Sequence, residues 1–148
     1  GAVSLRVEIA MPGQFGWHTE LPIMLQHINR GNHLANEALI TYLNEARHRF
    51  LDHIAVPEWR SDGFSWLNAD LAVRYRSEGN YGETLRVEVA IGGLHRRGFD
   101  MIYRVSDLAS GRDIAHAKTA HILFEDAVGR TATLDDASCH ALEKWLVG

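Results

Sequence analysis

A polar, glycine-containing segment passes directly into an apolar helical pattern between His27 and Arg47. The first turn of a helix carries unpaired backbone N–H groups and a partial positive charge, and both stabilise a negatively charged oxygen. The segment therefore indicates a reactive or anion-binding loop in front of a helix. A plain loop-to-helix junction fits the same residues, so both interpretations stay open.

Three side chains of this segment have suitable chemistry. Glu37 falls in the predicted first helical turn, where the helix dipole favours a carboxylate, and it is either a base that positions water or a solvent-facing stabiliser. His33 suits proton transfer near neutral pH, but it can also simply line the loop. Asn29 is neither a carboxylate nucleophile nor a base near neutral pH, although it can orient a water or a carbonyl group.

Other kinds of reactive centre find little support in the residue spacing. The nine histidines include the pairs His48 and His53, and His116 and His121. A separation of five residues directs two side chains away from each other on a helix or a strand. The sequence also lacks a G-x-S-x-G motif. We therefore predict no metal and no cofactor.

The composition is that of a soluble globular protein, with 46% apolar and 23% charged residues. The length predicts one domain over residues 1–148 with a proper core. The 15 basic and 19 acidic side chains give a net charge of −4, which argues against a nucleic-acid partner. No apolar run approaches the roughly 20 residues of a membrane span, and no signal peptide is visible, so no membrane partner is predicted. The one cysteine, Cys139, excludes an internal disulfide and predicts a reducing, cytoplasmic location.

A long helix must position the reactive segment. It is predicted to begin near His33 with Asn32 as its cap, to run for about 20 residues and to end before Pro57. Apolar residues at spacings of three, four and five form one broad face. The positions expected to be buried on that face are Ala38, Leu39, Tyr42, Leu43 and Ala46.

After the helix the apolar pattern changes to a period of two, which indicates strands. The alternating runs are Leu67–Tyr75, Val87–Ile91, Phe99–Val105 and Ile114–Phe124, preceded by the predicted strands Leu5–Ala10 and His18–Ile28. Residues Asp135–Val147 are predicted to close the chain as a helix. Turn residues between the later strands make them antiparallel, and a long apolar helix beside such a sheet is best buried by wrapping the sheet around it.

The helix segment resembles the central helix of hotdog-fold acyl-CoA thioesterases of the 4-hydroxybenzoyl-CoA thioesterase type, whose pattern is D-x-D-x-x-G-H-V-N-N-x-x-Y-x-x-Y-x-x-x-A-R. Matching positions are His33, Leu34, Asn36, Tyr42, Ala46 and Arg47, while Ala35 and Leu39 replace an Asn and a Tyr. A branch that reads G-N-H-L-x-N-[DE] is matched by Gly31, Asn32, His33, Leu34, Asn36 and Glu37. The resemblance implies an α+β hotdog fold, with the antiparallel sheet wrapped around the helix.

The same resemblance implies hydrolysis of an acyl-CoA to a free acid and coenzyme A. The aspartates of the family pattern stand at Asn29 and His27 here, so the aspartate mechanism does not transfer intact. We expect Asn29 and His33 to position water and thioester, and Glu37 to be the carboxylate. The backbone N–H groups of Leu34, Ala35 and Asn36 are the expected oxyanion hole.

The coenzyme phosphates need cations, and Arg96 and Arg97 form the best local cationic turn, unless they are merely solvated loop charges. The resemblance also implies a homodimer or homotetramer and an acyl-CoA or acyl-carrier substrate. Two alternatives stay open. One is a catalytically silent acyl-CoA or acyl-carrier binder, favoured by the missing aspartate, and the other is a hotdog dehydratase or hydratase.

Overall fold

The computed structural model describes residues 3–147, so residues 1, 2 and 148 of the predicted domain lie outside the described residues. The strands are β1 (Trp17–Pro22), β2 (Phe64–Tyr75), β3 (Thr84–Leu94), β4 (Gly98–Asp107), β5 (Asp113–Glu125) and β6 (Arg130–Thr131). The helices are α1 (Ala38–His53) and α2 (Asp136–Glu143), with a short 3-10 helix at Leu25–His27.

All six strands belong to one antiparallel sheet. Its order is β1-β3-β4-β5-β2, with β6 added beside β5. Helix α1 lies against the inner face of this sheet, and the side chains between helix and sheet form one apolar core. This arrangement confirms the predicted α+β hotdog fold.

The inner face of α1 agrees with the predicted apolar face. Its buried residues are Ala38, Leu39, Tyr42, Leu43, Ala46, Arg47, Phe50 and Leu51. Leu43 and Ala46 are fully buried. Burial of each large aliphatic side chain contributes roughly 1.5–3 kcal/mol. An isolated helix of this length is only marginally stable in water, so packing of this face provides most of its stability.

The start of α1 differs from the prediction. The helix begins at Ala38, with Glu37 at its N-cap position and no side-chain cap, instead of near His33. Asn32 has φ of 64°, a left-handed conformation that cannot continue as a helical cap. His33 instead pairs with Asn80, and Leu34 pairs with Ile28, as isolated β-bridges. The distant bridge to Asn80 and the local bridge to Ile28 therefore hold His33 and Leu34 outside the helix.

Strand β2 also departs from simple alternation. Its register against β5 shifts between Asn68 and Asp70, so a bulge at Ala69 reverses the faces of the strand. Before the bulge, Asn68 lies opposite the buried His121, whereas after it Leu71 lies opposite the buried Thr119. The prediction that Leu67 and Leu71 share one face is therefore wrong.

The chain ends were predicted less well than the centre. The strand predicted at Leu5–Ala10 does not form, and Leu5 is 94% exposed. Strand β1 ends at Pro22, the Ile23 N–H makes one further bond to the Glu83 carbonyl, and the 3-10 helix at Leu25–His27 follows. The predicted C-terminal helix is shorter, and Asp135 caps it by accepting from the Ser138 N–H.

A membrane span is not found in this part of the chain. Within residues 3–147, no helix combines the length and the apolar character that crossing a bilayer requires.

Candidate functional site

The pre-helix loop, residues 27–37, is held by hydrogen bonds at both of its ends. The Asn29 N–H donates to the His33 carbonyl at 2.9 Å, and the Ala35 N–H donates to the His27 carbonyl at 2.9 Å. The Leu34 N–H donates to the Gly79 carbonyl at 2.8 Å, which ties the loop to the segment between β2 and β3. The loop is therefore a short folded-back element with a fixed path into α1.

These bonds change which backbone donors are free for an oxyanion. The N–H groups of Leu34 and Ala35 are already used inside the protein, so they are not free donors in this structure. The Ala38 N–H donates to the Ala35 carbonyl at 3.0 Å. Among residues 3–147, no acceptor faces the N–H groups of Asn36 and Glu37. Of the three predicted oxyanion-hole residues, only Asn36 keeps an N–H without a partner in residues 3–147, and the neighbouring Glu37 N–H is also without one.

A cavity of about 230 Å³ opens beside this first turn. Its lining residues are Leu34, Ala35, Asn36, Leu39, Tyr75, Arg76, Ser77, Glu78, Gly79 and Ile114. One wall is thus the start of α1, and the other is the end of β2 with the turn that follows it. The wall of this cavity combines apolar and polar groups, which is the usual character of a small-molecule site.

The Asn29 side chain bonds to the backbone of its own loop. Its side-chain oxygen accepts from the N–H groups of Gly31 at 2.9 Å and His33 at 3.2 Å. This contact closes the loop in the manner of an Asx turn and leaves the side-chain amide as a donor. Asn29 does not line the cavity, so the structure does not place it beside Asn36.

His33 forms a cluster that sequence analysis missed. Its Nδ1 lies 2.9 Å from the Asn80 side-chain oxygen, and its Nε2 lies 2.8 Å from a Glu78 carboxylate oxygen. Both ring nitrogens therefore face acceptors, and the ring is held from two sides. Glu78 is largely exposed and lines the cavity, so the His33–Glu78 pair connects the loop to the cavity wall.

Glu83, which is itself bound by Arg112, fixes the position of Asn80. Its backbone N–H and its side-chain amide both donate to Glu83, at 2.7 and 3.1 Å. Arg112 donates to both carboxylate oxygens of Glu83 at 3.0 Å, and these bonds lower the pKa of Glu83 below its ordinary value. A charge-assisted, two-point contact of this kind is a strong positioning device. It fixes which way the Asn80 amide faces His33.

Glu37 is exposed and stands beside Tyr75. Burial first, and then the negative charge of Glu37, raises the pKa of Tyr75. The Tyr75 hydroxyl donates to the Asn36 carbonyl at 2.7 Å. Glu37 does not itself line the cavity, although its backbone N–H is adjacent to the cavity wall at Asn36.

Arg96 and Arg97 lie away from the pre-helix loop within one chain. The loop meets the sheet near Asn80, before β3 begins at Thr84, whereas the two arginines follow the far end of β3 at Leu94. Ten residue steps of β-strand separate the two ends of β3 by roughly 33 Å. Both arginines are exposed, and Arg97 donates to the Thr131 hydroxyl.

Sequence analysis missed the roles of three residues in the site. Glu78 and Asn80 lie in the β2–β3 connection, which was recognised only as a turn, and Tyr75 lies at the end of β2, where only a strand was predicted. The nearest sequence signal is the segment Glu78–Glu83, because it contains two carboxylates and an amide in addition to the glycines that a turn requires. Contacts between positions 33 and 80 depend on the whole sheet and carry no local signature.

No metal-binding cluster is found in the described part of the chain. Across residues 3–147, no three His, Cys, Asp or Glu side chains group closely enough to hold a metal ion.

Solved structures with the same fold include enzymes and a coenzyme complex. The 1,4-dihydroxy-2-naphthoyl-CoA thioesterase Slr0204 from Synechocystis is 18% identical, with a TM-score of 0.79 over 84% of this chain and 93% of that chain. The protein SAV2348 from Staphylococcus aureus, solved in complex with CoA, is 13% identical, with a TM-score of 0.81 over 93% of this chain and 87% of that chain. The 12:0-ACP thioesterase from Umbellularia californica is 15% identical, with a TM-score of 0.78 over 89% of this chain and 54% of that chain. At these identities the likeness establishes the fold alone.

Sequence comparison adds the family. No curated protein matches the chain significantly. The model of the thioesterase-like superfamily matches residues 23–143, which include the pre-helix loop, both helices and strands β2 to β6. Since this match spans most of the sequence, the chain belongs to the thioesterase-like superfamily.

Proposed function

We propose that this protein is a thioester hydrolase that acts on an acyl-CoA, or on an acyl group held by a carrier protein. The observation that carries the proposal is the pair of N–H groups of Asn36 and Glu37, which have no partner within residues 3–147 and lie at the positive end of α1. They are next to a cavity whose wall includes the carboxylate of Glu78. Two such donors stabilise the oxygen of a thioester carbonyl as it becomes negative. Membership of the thioesterase-like superfamily supports the same reaction.

In the proposed reaction, a water oxygen attacks the thioester carbonyl carbon and the base takes the proton of that water. The carbonyl oxygen becomes an oxyanion, which accepts from the N–H groups of Asn36 and Glu37. The carbon–sulfur bond then breaks, the base returns the proton to the leaving sulfur, and the products are a free acid and a thiol. No metal or redox partner is needed for this balance.

Two carboxylates compete for the role of base. Glu78 lines the cavity and lies 2.8 Å from His33, so we propose Glu78 as the base, with His33 positioning it. Glu37 stays the second candidate because the helix dipole favours a carboxylate there. Asn29 holds the loop, because its side-chain oxygen accepts from the N–H groups of Gly31 and His33.

The coenzyme end of the site needs a second copy of the chain if Arg96 and Arg97 bind the phosphates. Among residues 3–147, strand β2 pairs only with β5, so its other edge is open. Along that strand, Tyr75 contacts the pre-helix loop, whereas Trp66 lies opposite Leu123, which bonds to Arg97. Antiparallel pairing of two β2 edges brings the arginines of one copy beside the pre-helix loop of the other.

We therefore propose a homodimer through β2. Exposed Leu67, Leu71 and Tyr75 on this strand support the proposal, because an open edge with apolar side chains is otherwise a liability. A homotetramer is compatible with the same pairing. The single half-buried cysteine supports the cytoplasm as the proposed location.

The alternative from another class is a silent binder of acyl-CoA or acyl-carrier thioesters. It is favoured by Asn29, which cannot supply the carboxylate of the aspartate-bearing enzymes. A dehydratase or hydratase is the remaining alternative, and it predicts hydration of enoyl thioesters without thiol release.

The deciding experiment measures free thiol released from a series of acyl-CoA esters by the purified protein. Saturable release that falls strongly in Glu78→Gln supports the hydrolase. Tight binding of an acyl-CoA without thiol release overturns the hydrolase in favour of the silent binder. Light scattering of the same sample tests the dimer, and a monomer at micromolar concentration contradicts the shared site.

A further inference from the structure

A second cavity, of about 130 Å³, lies at the other end of the core, away from the pre-helix loop. Its lining residues are Arg47, Leu51, Glu58, Trp59, Trp66, Asn68, Phe99 and His121. Aromatic rings form three of its walls, while an amide, an ion pair and an imidazole supply polar groups. Within one chain, the residues proposed for thioester hydrolysis do not line it, so we consider its role separately.

The charges in this second cavity cancel. Arg47 is 7% exposed, and its Nε donates to Glu58 at 3.1 Å. The other Glu58 oxygen lies 3.1 Å from Nδ1 of His48. Because cation and anion are paired, the cavity does not favour a charged ligand of either sign.

A chain of buried hydroxyl groups determines which ring nitrogen of His121 carries the proton. The Tyr103 hydroxyl lies 2.7 Å from that of Thr119, and the Thr119 hydroxyl lies 2.7 Å from Nε2 of His121. If His121 donated through Nε2, Thr119 would either accept from both neighbours and leave its own proton unpaired, or donate to Tyr103, which would then donate to the weakly accepting Met101 sulfur 3.7 Å away. The charge of Arg47 close to Tyr103 also favours a tyrosine oxygen that accepts from that side. The stronger arrangement runs from Tyr103 through Thr119 to an accepting Nε2.

This arrangement leaves the imidazole proton on Nδ1. His121 is only 2% exposed, and the little surface that it keeps faces the cavity it lines. Within residues 3–147, no acceptor faces Nδ1. Burial, and then the charge of Arg47, lowers the pKa of His121 to about 3, so the ring is neutral near pH 7 and carries one proton. Since Nδ1 is not among the fully buried polar atoms that lack a partner, it reaches the space of the cavity, where a water or a ligand can accept from it.

We propose that this second cavity binds a small, neutral, planar group that accepts a hydrogen bond from Nδ1 of His121. Phe99 stacks on His121 with ring centroids 5.1 Å apart, and Trp66 packs edge-on against Phe99. The shape of these aromatic walls is therefore complementary to a planar ligand. The Asn68 amide supplies a further polar contact. The volume suits a ligand of about ten non-hydrogen atoms.

Trp59 gives the second cavity an outer wall that is open to solvent. It is 81% exposed and stacks on His48 with ring centroids 4.4 Å apart. A large exposed aromatic ring at the mouth of a polar cavity is suited to close over a planar ligand. Removing its ring takes away a ligand contact without opening the core.

Benzamide is the probe, because it is neutral and planar and its carbonyl oxygen is a hydrogen-bond acceptor. Titration into the ¹⁵N-labelled full chain is followed by NMR. We expect the His121 ring, the Asn68 amide and the Trp59 and Trp66 indoles to shift together with saturation. Toluene has the ring without the acceptor, and benzoate carries a charge, so both are expected to bind at least tenfold more weakly. Resonances of Asn36 and Glu37 are expected to stay unchanged.

Two variants test the assignment. His121→Phe keeps a flat ring but removes the donor, and it is expected to weaken benzamide binding by about tenfold. Since His121→Phe disturbs the Thr119 hydroxyl and can affect folding, Trp59→Ala tests the same cavity from its exposed wall, with a weakening of similar size. Asn29→Ala is the matched control and is expected to bind benzamide as the unaltered protein does.

Some results would overturn the proposal. If benzamide leaves the cavity resonances unchanged up to its solubility limit, the second cavity holds only water. Equal affinity in the unaltered protein and in folded Trp59→Ala would place the ligand elsewhere. Equal affinity for toluene and benzamide would remove the hydrogen bond from His121. None of these outcomes depends on thioester hydrolysis.

Discussion

The Tyr75 hydroxyl donates a 2.7 Å hydrogen bond to the backbone carbonyl of Asn36, and so joins the edge strand β2 to the first turn of α1. In a trans peptide unit the carbonyl oxygen and the following N–H point in opposite directions. By holding the Asn36 carbonyl, Tyr75 therefore directs the Glu37 N–H away from itself and fixes its orientation, and this N–H has no partner within residues 3–147.

Tyr75→Phe is expected to lower kcat by roughly tenfold while leaving KM nearly unchanged, because the oxyanion donor loses its orientation but the cavity walls remain. Steady-state hydrolysis of an acyl-CoA provides both constants. Tyr81→Phe is the control, since Tyr81 is 55% exposed and its hydroxyl meets no partner in the described chain. A drop in KM alone, or an equal effect in both variants, contradicts this role for Tyr75.

Glu78→Gln and Glu37→Gln decide which carboxylate is the base. The variant that removes the base is expected to lose roughly 10²-fold or more in kcat, because a side-chain amide cannot take the proton from water. We expect the larger loss in Glu78→Gln, since Glu78 lines the cavity and pairs with His33. Both side chains are exposed, so neither variant is expected to unfold the protein, and circular dichroism checks this.

The reverse order, with the larger loss in Glu37→Gln, restores Glu37 as the base. A third variant, Asn80→Ala, helps to interpret either outcome, because it removes the acceptor that orients His33 without touching a carboxylate. If the Glu78–His33 pair acts as a unit, Asn80→Ala is expected to shift the pH profile of kcat as well as lower its maximum.

Asn29→Asp separates two roles of the pre-helix loop. An aspartate keeps the oxygen that accepts from Gly31 and His33, so the loop is expected to stay closed. It loses the amide donor and adds a negative charge to the loop that leads into the first turn of α1, and activity is therefore expected to fall. Hydrolysis rates of the two proteins test this, and a rise in Asn29→Asp would mean that the aspartate mechanism fits this loop.

Local sequence patterns predicted the buried face of α1 and the four long strands, because each depends on side-chain periodicity within one element. They missed the bulge at Ala69 and the start of α1 at Ala38, since both are set by pairing with distant residues. The same reason explains the site. His33 was found from its motif, but its partners Glu78 and Asn80 lie about 45 positions further along, and only the folded sheet brings them together.

Replacing Arg96 and Arg97 together by alanine tests the coenzyme site and the dimer at once. If a second copy brings these arginines to the pre-helix loop, the variant is expected to bind an acyl-CoA more weakly at low salt, with the difference shrinking as salt rises. Isothermal titration at two salt concentrations measures the effect. Unchanged affinity at low salt would remove the assignment, and light scattering shows whether the variant still pairs.

His121 predicts how stability depends on pH. In the unfolded chain its pKa is near the ordinary 6.5, whereas burial lowers the pKa in the folded protein to about 3. Between these two values the unfolded chain binds more protons than the folded one, so the free energy of unfolding falls as the pH falls through this window. The contribution of this one residue approaches about 1.4 kcal/mol per pH unit.

Urea unfolding at several pH values between 6.5 and 4 tests this prediction. In His121→Phe the free energy of unfolding is expected to change less steeply with pH than in the unaltered protein. His140→Gln, an exposed control, is expected to keep the original slope. Parallel slopes for all three proteins would mean that His121 is not held neutral by its burial.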